Sequence, residues 1–266
     1  MTTNEEATVS VIISTLNCGN ALNETINSFI AQDYQRKELI IIDGKSHDNT
    51  KAIIEKNISN INFSLSEKDS GVYDAWNKAI NNSNGKWLLF LGAGDRFYAT
   101  NTISNLMLKV TDDSINFVSG KIYIEDENGA FIESLGKSWN KNKLINNIHI
   151  GHPGALHRRD LFEKYGVFNK KYKICGDYEF LMRVRDFIVS SFYNEYVVKM
   201  DNAGISNKKP FVAIFESARA MSEMWRFGFF LAVRYIFISI IKHLIKQELI
   251  KYNFGKRLIE RYREFK

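Results

Sequence analysis

Residues 38–50 read Glu38-Leu39-Ile40-Ile41-Ile42-Asp43-Gly44-Lys45-Ser46-His47-Asp48-Asn49-Thr50, and this stretch decides the fold class. An unbroken apolar run that stops at an acid and a glycine reads as a buried strand, Glu38–Ile42, leaving the sheet through a tight turn. Asp48 or Asn49 can cap the helix that follows, Asn49–Lys56. The same alternation extends outward in both directions. Val9–Ser14 reads as a buried strand and Leu22–Gln32 as a helix with Leu22, Ile26, Phe29 and Ile30 at helical spacing. Asn62–Leu65 is extended, Asp74–Asn81 helical and Trp87–Leu91 a third clear strand. Strands alternating with helices over short links predict a mostly parallel sheet covered by helices.

Beyond Thr100 the character becomes antiparallel. Ile115–Ser119 and Lys121–Glu125 read as strands, and Glu127-Asn128-Gly129 as a turn into Ala130–Glu133. Helices follow over Arg159–Tyr165 and Asp177–Val189, with Val197–Met200 as a last edge strand. The expected organisation is an α/β domain over residues 1–204 and a basic, apolar helical tail over residues 205–266.

Composition narrows the class. The 266 residues are 45% hydrophobic, with 16 Gly and 2 Pro, which suits a packed globular chain and excludes collagen-like or disordered sequence. Two distant cysteines, Cys18 and Cys175, give neither a disulfide framework nor a zinc pattern and fit a reducing cytosol. The start MTTNEEATVS has no basic, apolar leader, so the chain is expected on the cytoplasmic side. The net charge of +6 is uneven: residues 205–266 hold 13 Lys and Arg against 5 Asp and Glu, while the remainder is slightly acidic. A basic body would point to nucleic acid; a basic, apolar tail points to an anionic membrane surface. The apolar run Phe227–Ile241 would rise only about 22 Å as a helix, short of a hydrocarbon core about 30 Å thick. A helix lying in the interface is therefore the expectation, with packing on the domain or in a homodimer as the alternative.

Four clusters have chemical potential. The turn at Asp43 and Gly44 lies where open α/β sheets bind ligands, beyond a strand's carboxyl end. Ser66-Glu67-Lys68-Asp69-Ser70-Gly71-Val72-Tyr73-Asp74-Ala75-Trp76 places three acids and two aromatics at a loop-to-helix junction, a setting that offers free backbone N–H groups to an anion. Leu89-Phe90-Leu91-Gly92-Ala93-Gly94-Asp95 ends a buried strand with one carboxylate. Such an acid can hold Mg²⁺ or Mn²⁺ while phosphate oxygens and water complete the shell. Cys175-Gly176-Asp177-Tyr178-Glu179 puts Asp177 at a helix start, where a carboxylate can serve as general base or merely as a cap. Neither a GxGxxG nor a Walker-type loop follows the first strand, which disfavours dinucleotide and P-loop chemistry.

Taken in order, VSVIISTLN, IIIDGKSHDNT, SEKDSGVYDAWNKAI, WLLFLGAGDRF and HPGALHRRDLFEKYGVFN running into CGDYEFLMR resemble the family 2 GT-A glycosyltransferases over roughly residues 8–200. The branch most resembled adds sugars to lipid-linked O-antigen, colanic-acid or capsule precursors. The resemblance implies a Rossmann-like, mostly parallel sheet and a nucleotide-sugar donor, most often a UDP-sugar. It implies that Thr15 and Asn17 line the nucleotide site and Asp43 contacts the base. Asp69 and Asp74 would sit by the donor, and His152, with His157, in the segment near acceptor or diphosphate. Asp95 would take the last position of the DxD-type motif and hold Mn²⁺ or Mg²⁺, although here only Gly92-Ala93-Gly94 precedes it. Asp177 would be the base of an inverting transfer to a polyprenyl-diphosphate-linked saccharide. Two other readings compete: a non-catalytic sugar-nucleotide-binding or membrane-adaptor protein on the same fold, and a nucleotidyltransferase, disfavoured because Thr15-Leu16-Asn17-Cys18-Gly19 supplies no cation.

Overall fold

The structure, a computed structural model, describes residues 8–144, 149–202, 204, 208–224 and 228–251. The strands β1 (Val9–Thr15), β2 (Lys37–Asp43), β3 (Phe63–Ser66) and β4 (Trp87–Gly92) pair in parallel around β1 and β2. Helices α1 (Gly19–Ile30), α2 (Thr50–Lys56) and α3 (Val72–Asn81) form the crossovers. Val9–Ile13 and Leu39–Ile42 are wholly buried, as strands covered on both faces must be. On α1, Leu22, Ile26 and Phe29 turn to the sheet, each worth about 1.5–3 kcal/mol relative to exposure.

The second half continues with β5 (Arg96–Phe97), α4 (Thr102–Met107), β6 (Phe117–Glu125), β7 (Phe131–Leu135), β8 (Leu156–Arg158), α5 (Asp160–Tyr165), α6 (Gly176–Val184) and β9 (Ser190–Asp201). The sheet order is β3-β2-β1-β4-β8-β6-β9-β5, with β7 beside β6. β8 is antiparallel to both β4 and β6, and β9 runs parallel to β6. β1, β2, β3, β4, β6 and β9 therefore point the same way, and their carboxyl ends share one rim.

Three details differ from the sequence reading. The expected pair Ile115–Ser119 and Lys121–Glu125 is one strand, β6; the glycine between them, Gly120, is where its register with β9 shifts. A side chain at Gly120 would meet Val197 at 2.4 Å, so close strand approach, not a break, explains that glycine. The expected edge strand Val197–Met200 is the end of the longer β9, which lies between β6 and β5 and is not at the edge. The helix expected over Asp177–Val189 stops at Val184.

The tail holds α7 (Pro210–Met224) and α8 (Gly228–Lys251). α7 is part of the main core: Ala218, Ala220 and Met221 pack in one cluster with Tyr178, Phe180 and Trp76. α8 meets that core with one side only. Ala232 is buried, and Tyr235 and Ile236 pack against the same core. Phe229, Phe230 and Phe237 are 70%, 73% and 67% exposed, and Val233, Ile241 and Leu244 are exposed beside them. The 18-residue stretch Gly228–Ile245 has a mean hydropathy of 1.7, long and apolar enough to cross a membrane by length and composition. The helix continues beyond the apolar run expected from sequence; the charged end after Lys251 lies outside the described residues.

Candidate active site

The rim is built from the loops that leave the parallel strands. Thr15 and Asp43 are partners in the β1–β2 register, and the Gly44 N–H donates to the Thr15 carbonyl at 2.9 Å. The Thr15 hydroxyl is buried without a hydrogen-bond partner, an orphan polar atom at the mouth of the sheet. Asn17 joins the two loops. Its N–H donates to Ser46 Oγ at 2.7 Å, and its side-chain oxygen accepts from the His47 N–H at 2.8 Å. Asn17 and Lys45 hold φ of 52° and 67°, the non-glycine residues with positive φ among those described. Left-handed backbone at two facing loops is the kind of strain that concentrates at ligand sites.

Asp43 is fully buried. Its carboxylate accepts from the Ser46 N–H and hydroxyl and from the Ser66 hydroxyl at 2.6 Å, so it fixes the turn between β2 and α2. Asp69 accepts from the Gly71 N–H at 2.9 Å and lies so near residue 44 that a Cβ there would sit 2.7 Å from its other oxygen. Glycine at 44 is thus what lets the β3–α3 loop close onto the β2 turn. Asp74 accepts from the Ser70 N–H at 3.0 Å and pairs with Lys170 at 3.3 Å and Lys78 at 3.8 Å. Burial opposes its charge, but these partners outweigh burial and hold the Asp74 carboxyl below the usual carboxylate range. Thr15, Asn17, Asp43 and Asp69 therefore form one contiguous wall, with Asp74 at its edge in the first turn of α3.

Asp95 follows β4, next to β1, where the Ala93 N–H donates to the Ser14 carbonyl at 3.3 Å. It is 9% exposed, and its Oδ2 accepts from the Gly92 N–H at 2.7 Å. Burial pushes its carboxyl up to about 6, against the pull of that N–H and of Arg96. The adjacent Arg96 is itself engaged by Glu24 and Glu125. No cluster of three or more metal-ligating side chains occurs among the described residues. Asp95 alone still meets the minimum of Mg²⁺ or Mn²⁺, which commonly take one or two carboxylates and leave other positions to phosphate and water.

Asp177 reaches this region from a different element, the first turn of α6. Tyr73, in the first turn of α3, brings it there. The Tyr73 ring packs so tightly under Gly176 that a Cβ at 176 would lie 2.8 Å from it. The Tyr73 hydroxyl lies 2.6 Å from the Ile174 carbonyl and 3.0 Å from Asp177 Oδ1. A phenol has one proton, so when it bonds the carbonyl the carboxylate loses that donor. Asp177 keeps part of its surface open while protein crowds its carboxyl group. Burial raises its pKa above the ordinary value, against the Tyr178 N–H and the Tyr73 hydroxyl, and Glu216 adds to the rise. A carboxylate poorly stabilised as an anion is a stronger base.

His152, expected in the segment near acceptor or diphosphate, is a buried ring. It is 2% exposed, its ring centroid 5.4 Å from Trp76, 5.8 Å from Phe90 and 4.8 Å from His157. Burial drives its imidazole down to about 3, so it is uncharged at neutral pH. His157, wholly buried, is also held well below its ordinary value by burial. Both belong to the aromatic core beneath α3. The residues that sequence reasoning passed over are Tyr73, read only as one of two junction aromatics, and Glu216, which lies in the tail segment.

The family model described as glycosyl transferase family 2 matches residues 10–185, from β1 to the end of α6. A PGL/p-HBAD biosynthesis glycosyltransferase of Mycobacterium bovis is 29% identical over 211 residues, covering 74% of this chain and 78% of its own length. An uncharacterized glycosyltransferase of Rickettsia prowazekii is 27% identical over 200 residues, covering 71% of this chain and 62% of its own. Among solved structures, S. aureus TarS 1–349 in complex with UDP-GlcNAc superposes with a TM-score of 0.66 at 18% identity, covering 81% of this chain and 65% of that one. The mannosyltransferase PcManGT of Pyrobaculum calidifontis, in complex with GDP-Man and Mn²⁺, superposes with a TM-score of 0.65 at 13% identity, covering 96% and 84%. These two share the GT-A fold with this chain. The chain is a glycosyltransferase and belongs to glycosyl transferase family 2.

Proposed function

We propose that the chain transfers a sugar, with inversion, from a nucleotide-diphosphate donor to a hydroxyl of a lipid-linked saccharide at the cytoplasmic face of a membrane. The observation that carries the reading is the Asp177 carboxylate, desolvated and held by Tyr73 against the loop that closes the sheet's rim. Asp177 takes the proton of the acceptor hydroxyl, and that oxygen attacks the anomeric carbon on the face opposite the departing nucleotide. Charge at the sugar is oxocarbenium-like on the way, and no covalent sugar–protein species forms. The wall of Thr15, Asn17, Asp43 and Asp69 receives the nucleotide, with the orphan Thr15 hydroxyl as a free hydrogen-bonding group. Asp95 would hold a divalent cation, which when bound supplies Lewis-acid neutralisation of the diphosphate. TarS bound to UDP-GlcNAc and PcManGT bound to GDP-Man and Mn²⁺ support a nucleotide-sugar donor without choosing the base.

The lipid-linked acceptor is argued from α8. Its inner face meets the core, and its outer face carries Phe229, Phe230, Val233, Phe237 and Leu244 with Arg234 and Lys242 among them. A helix packed on one side, with aromatic and basic residues on the other, is suited to lie with its free side in an anionic interface. The excess of basic residues after position 204 matches the charge of such a surface. A polyprenyl-diphosphate acceptor stays in the bilayer, so the enzyme must come to it.

The test pairs two assays. A panel of UDP-, GDP- and dTDP-sugars, with and without Mn²⁺, should contain donors that raise the melting temperature and release nucleotide. Flotation with phosphatidylglycerol vesicles should carry the chain upward, and Phe229→Ser/Phe230→Ser/Phe237→Ser should stay below. Donor stabilisation without any nucleotide release, to any hydroxyl acceptor offered, would favour the non-catalytic binding reading. A dimer in solution that ignores vesicles would assign the outer face of α8 to a second copy.

A further inference from the structure

Asp177 has a support that the sequence places far from it. Glu216, on α7, sends its carboxylate to three successive backbone N–H groups just before α6. The Lys173 N–H donates to Oε1 at 2.8 Å, and the Ile174 and Cys175 N–H groups donate to Oε2 at 2.8 and 2.9 Å. Cys175, the residue at the helix N-cap, makes no side-chain cap of its own. A carboxylate bonding consecutive N–H groups at a helix start is a charge-assisted cap, here delivered from another helix. Neighbouring bonds bind the same segment to α7: Cys175 Sγ lies 3.3 Å from the Ser217 hydroxyl, and the Tyr172 hydroxyl donates to Glu223 at 3.0 Å.

Ile174 is the pivot. Glu216 holds its N–H, while its carbonyl faces the Tyr73 hydroxyl that also faces Asp177. The line Glu216, Ile174, Tyr73, Asp177 thus runs from the C-terminal helices to the carboxylate without a gap. We propose that Glu216 is a positioning residue for transfer: by fixing the 173–175 segment it aims the Asp177 carboxylate and sets which acceptor the Tyr73 proton serves. The proposal rests on the reading of Asp177 as the base. It makes α7 a component of the active site, although the family match ends at residue 185.

A purely structural cap would leave the balance between binding and turnover unchanged, whereas a positioning role splits them. The donor wall comes from the loops after β1, β2 and β3, and no hydrogen bond joins it to Glu216 itself among the described residues; the held segment meets its border where the Lys173 ammonium donates to the Ser70 carbonyl at 2.7 Å. Glu216→Ala should therefore lower kcat at least about tenfold while donor KM stays within about twofold. The donor used is whichever of UDP-GlcNAc, UDP-glucose, UDP-galactose, GDP-mannose and dTDP-rhamnose the wild-type chain cleaves fastest. Glu216→Gln keeps an oxygen for the N–H groups but removes the charge; the groups then facing Asp177 are Tyr73 and Cys175, both uncharged at neutral pH. Its kcat should be intermediate, and the acid limb of its kcat profile should move to lower pH, since a negative neighbour that raised the Asp177 pKa is gone. A second arm needs no donor: the ¹³C carboxyl resonance of Asp177, assigned through Asp177→Asn, should titrate with a lower midpoint in Glu216→Gln than in wild type. An unmoved midpoint, or wild-type kcat in both Glu216 variants while Asp177→Asn is inactive, overturns the proposal. Turnover surviving in Asp177→Asn would instead remove the base assignment on which it rests.

Discussion

The two sides of the rim treat their acids in opposite ways. Between residues 43 and 74 two carboxylates are spent on several protein donors, Asp43 on Ser46 and Ser66 and Asp74 on Ser70 and two lysines, while Asp69 takes the single Gly71 N–H. At 95 and 177 the acids stand in poorly donating surroundings, and burial raises both. Saturated acids hold loops in place; undersatisfied acids are left to meet a cation or a proton. On the proposed function, the crowded acids of residues 66–74 serve the loops, and the isolated acids Asp95 and Asp177 are the ones assigned to the cation and the proton.

This contrast breaks most sharply at Asp177. Asp177→Asn should cut nucleotide release about 10³-fold, near 4 kcal/mol in the barrier, while UDP with Mn²⁺ binds within about twofold by calorimetry. Equal losses of binding and turnover would make Asp177 part of the scaffold like its neighbours across the rim.

Asp95 should give the next largest effect, with the opposite sign for stability. Its folded pKa of about 6 lies above its unfolded value, so the folded chain binds more protons between the two, and stability falls as pH rises through that window. Asp95→Asn lacks this cost. Without metal, its advantage over wild type should be absent near pH 4 and reach about 2–3 kcal/mol above pH 7, from about two pK units at ~1.4 kcal/mol each. The variant should also lose the stabilisation that Mn²⁺ with UDP gives the wild type. Denaturant melts across pH read the first effect and thermal shifts the second; a pH-independent difference would place Asp95 with the satisfied acids.

Asp74 should show the smallest change. Its folded pKa is depressed, so its stabilisation is present above the unfolded carboxylate value and is lost as pH falls through the folded one. Asp74→Asn should cost about 1 kcal/mol at pH 7 and less as pH falls through the folded value, with turnover nearly intact. A large loss of turnover would sharpen the boundary by moving Asp74 to the reactive side.

Much of the first half was legible because its signals are local. The apolar runs ending at Ser14, Ile42 and Leu91 mark the central strands to within a residue of their ends. The second half hid more. β8 is three residues long, and Ser190–Tyr196 of β9 is only partly buried, so neither carries a clear periodic pattern. The motif singles out Asp177 as a candidate, but no motif marks its partners. Tyr73 lies 104 residues away and Glu216 lies 41 residues from Cys175, and no spacing rule connects such distances. The one signal for Glu216 is an acid beside the packed face Ile214, Ser217, Ala218 and Met221 of α7. His152 shows the converse: its motif places it in the segment near acceptor or diphosphate, and the aromatic cluster that buries it is assembled only by the fold.

The most direct test of the central claim is a crystal structure of Asp177→Asn with Mn²⁺ and the intact nucleotide sugar that wild type cleaves fastest. The account predicts the sugar at the carboxyl rim of β1, β2 and β4, with residue 177 facing the anomeric carbon from the side opposite the diphosphate. A sugar bound with residue 177 turned away, and another carboxylate in that position, would contradict it.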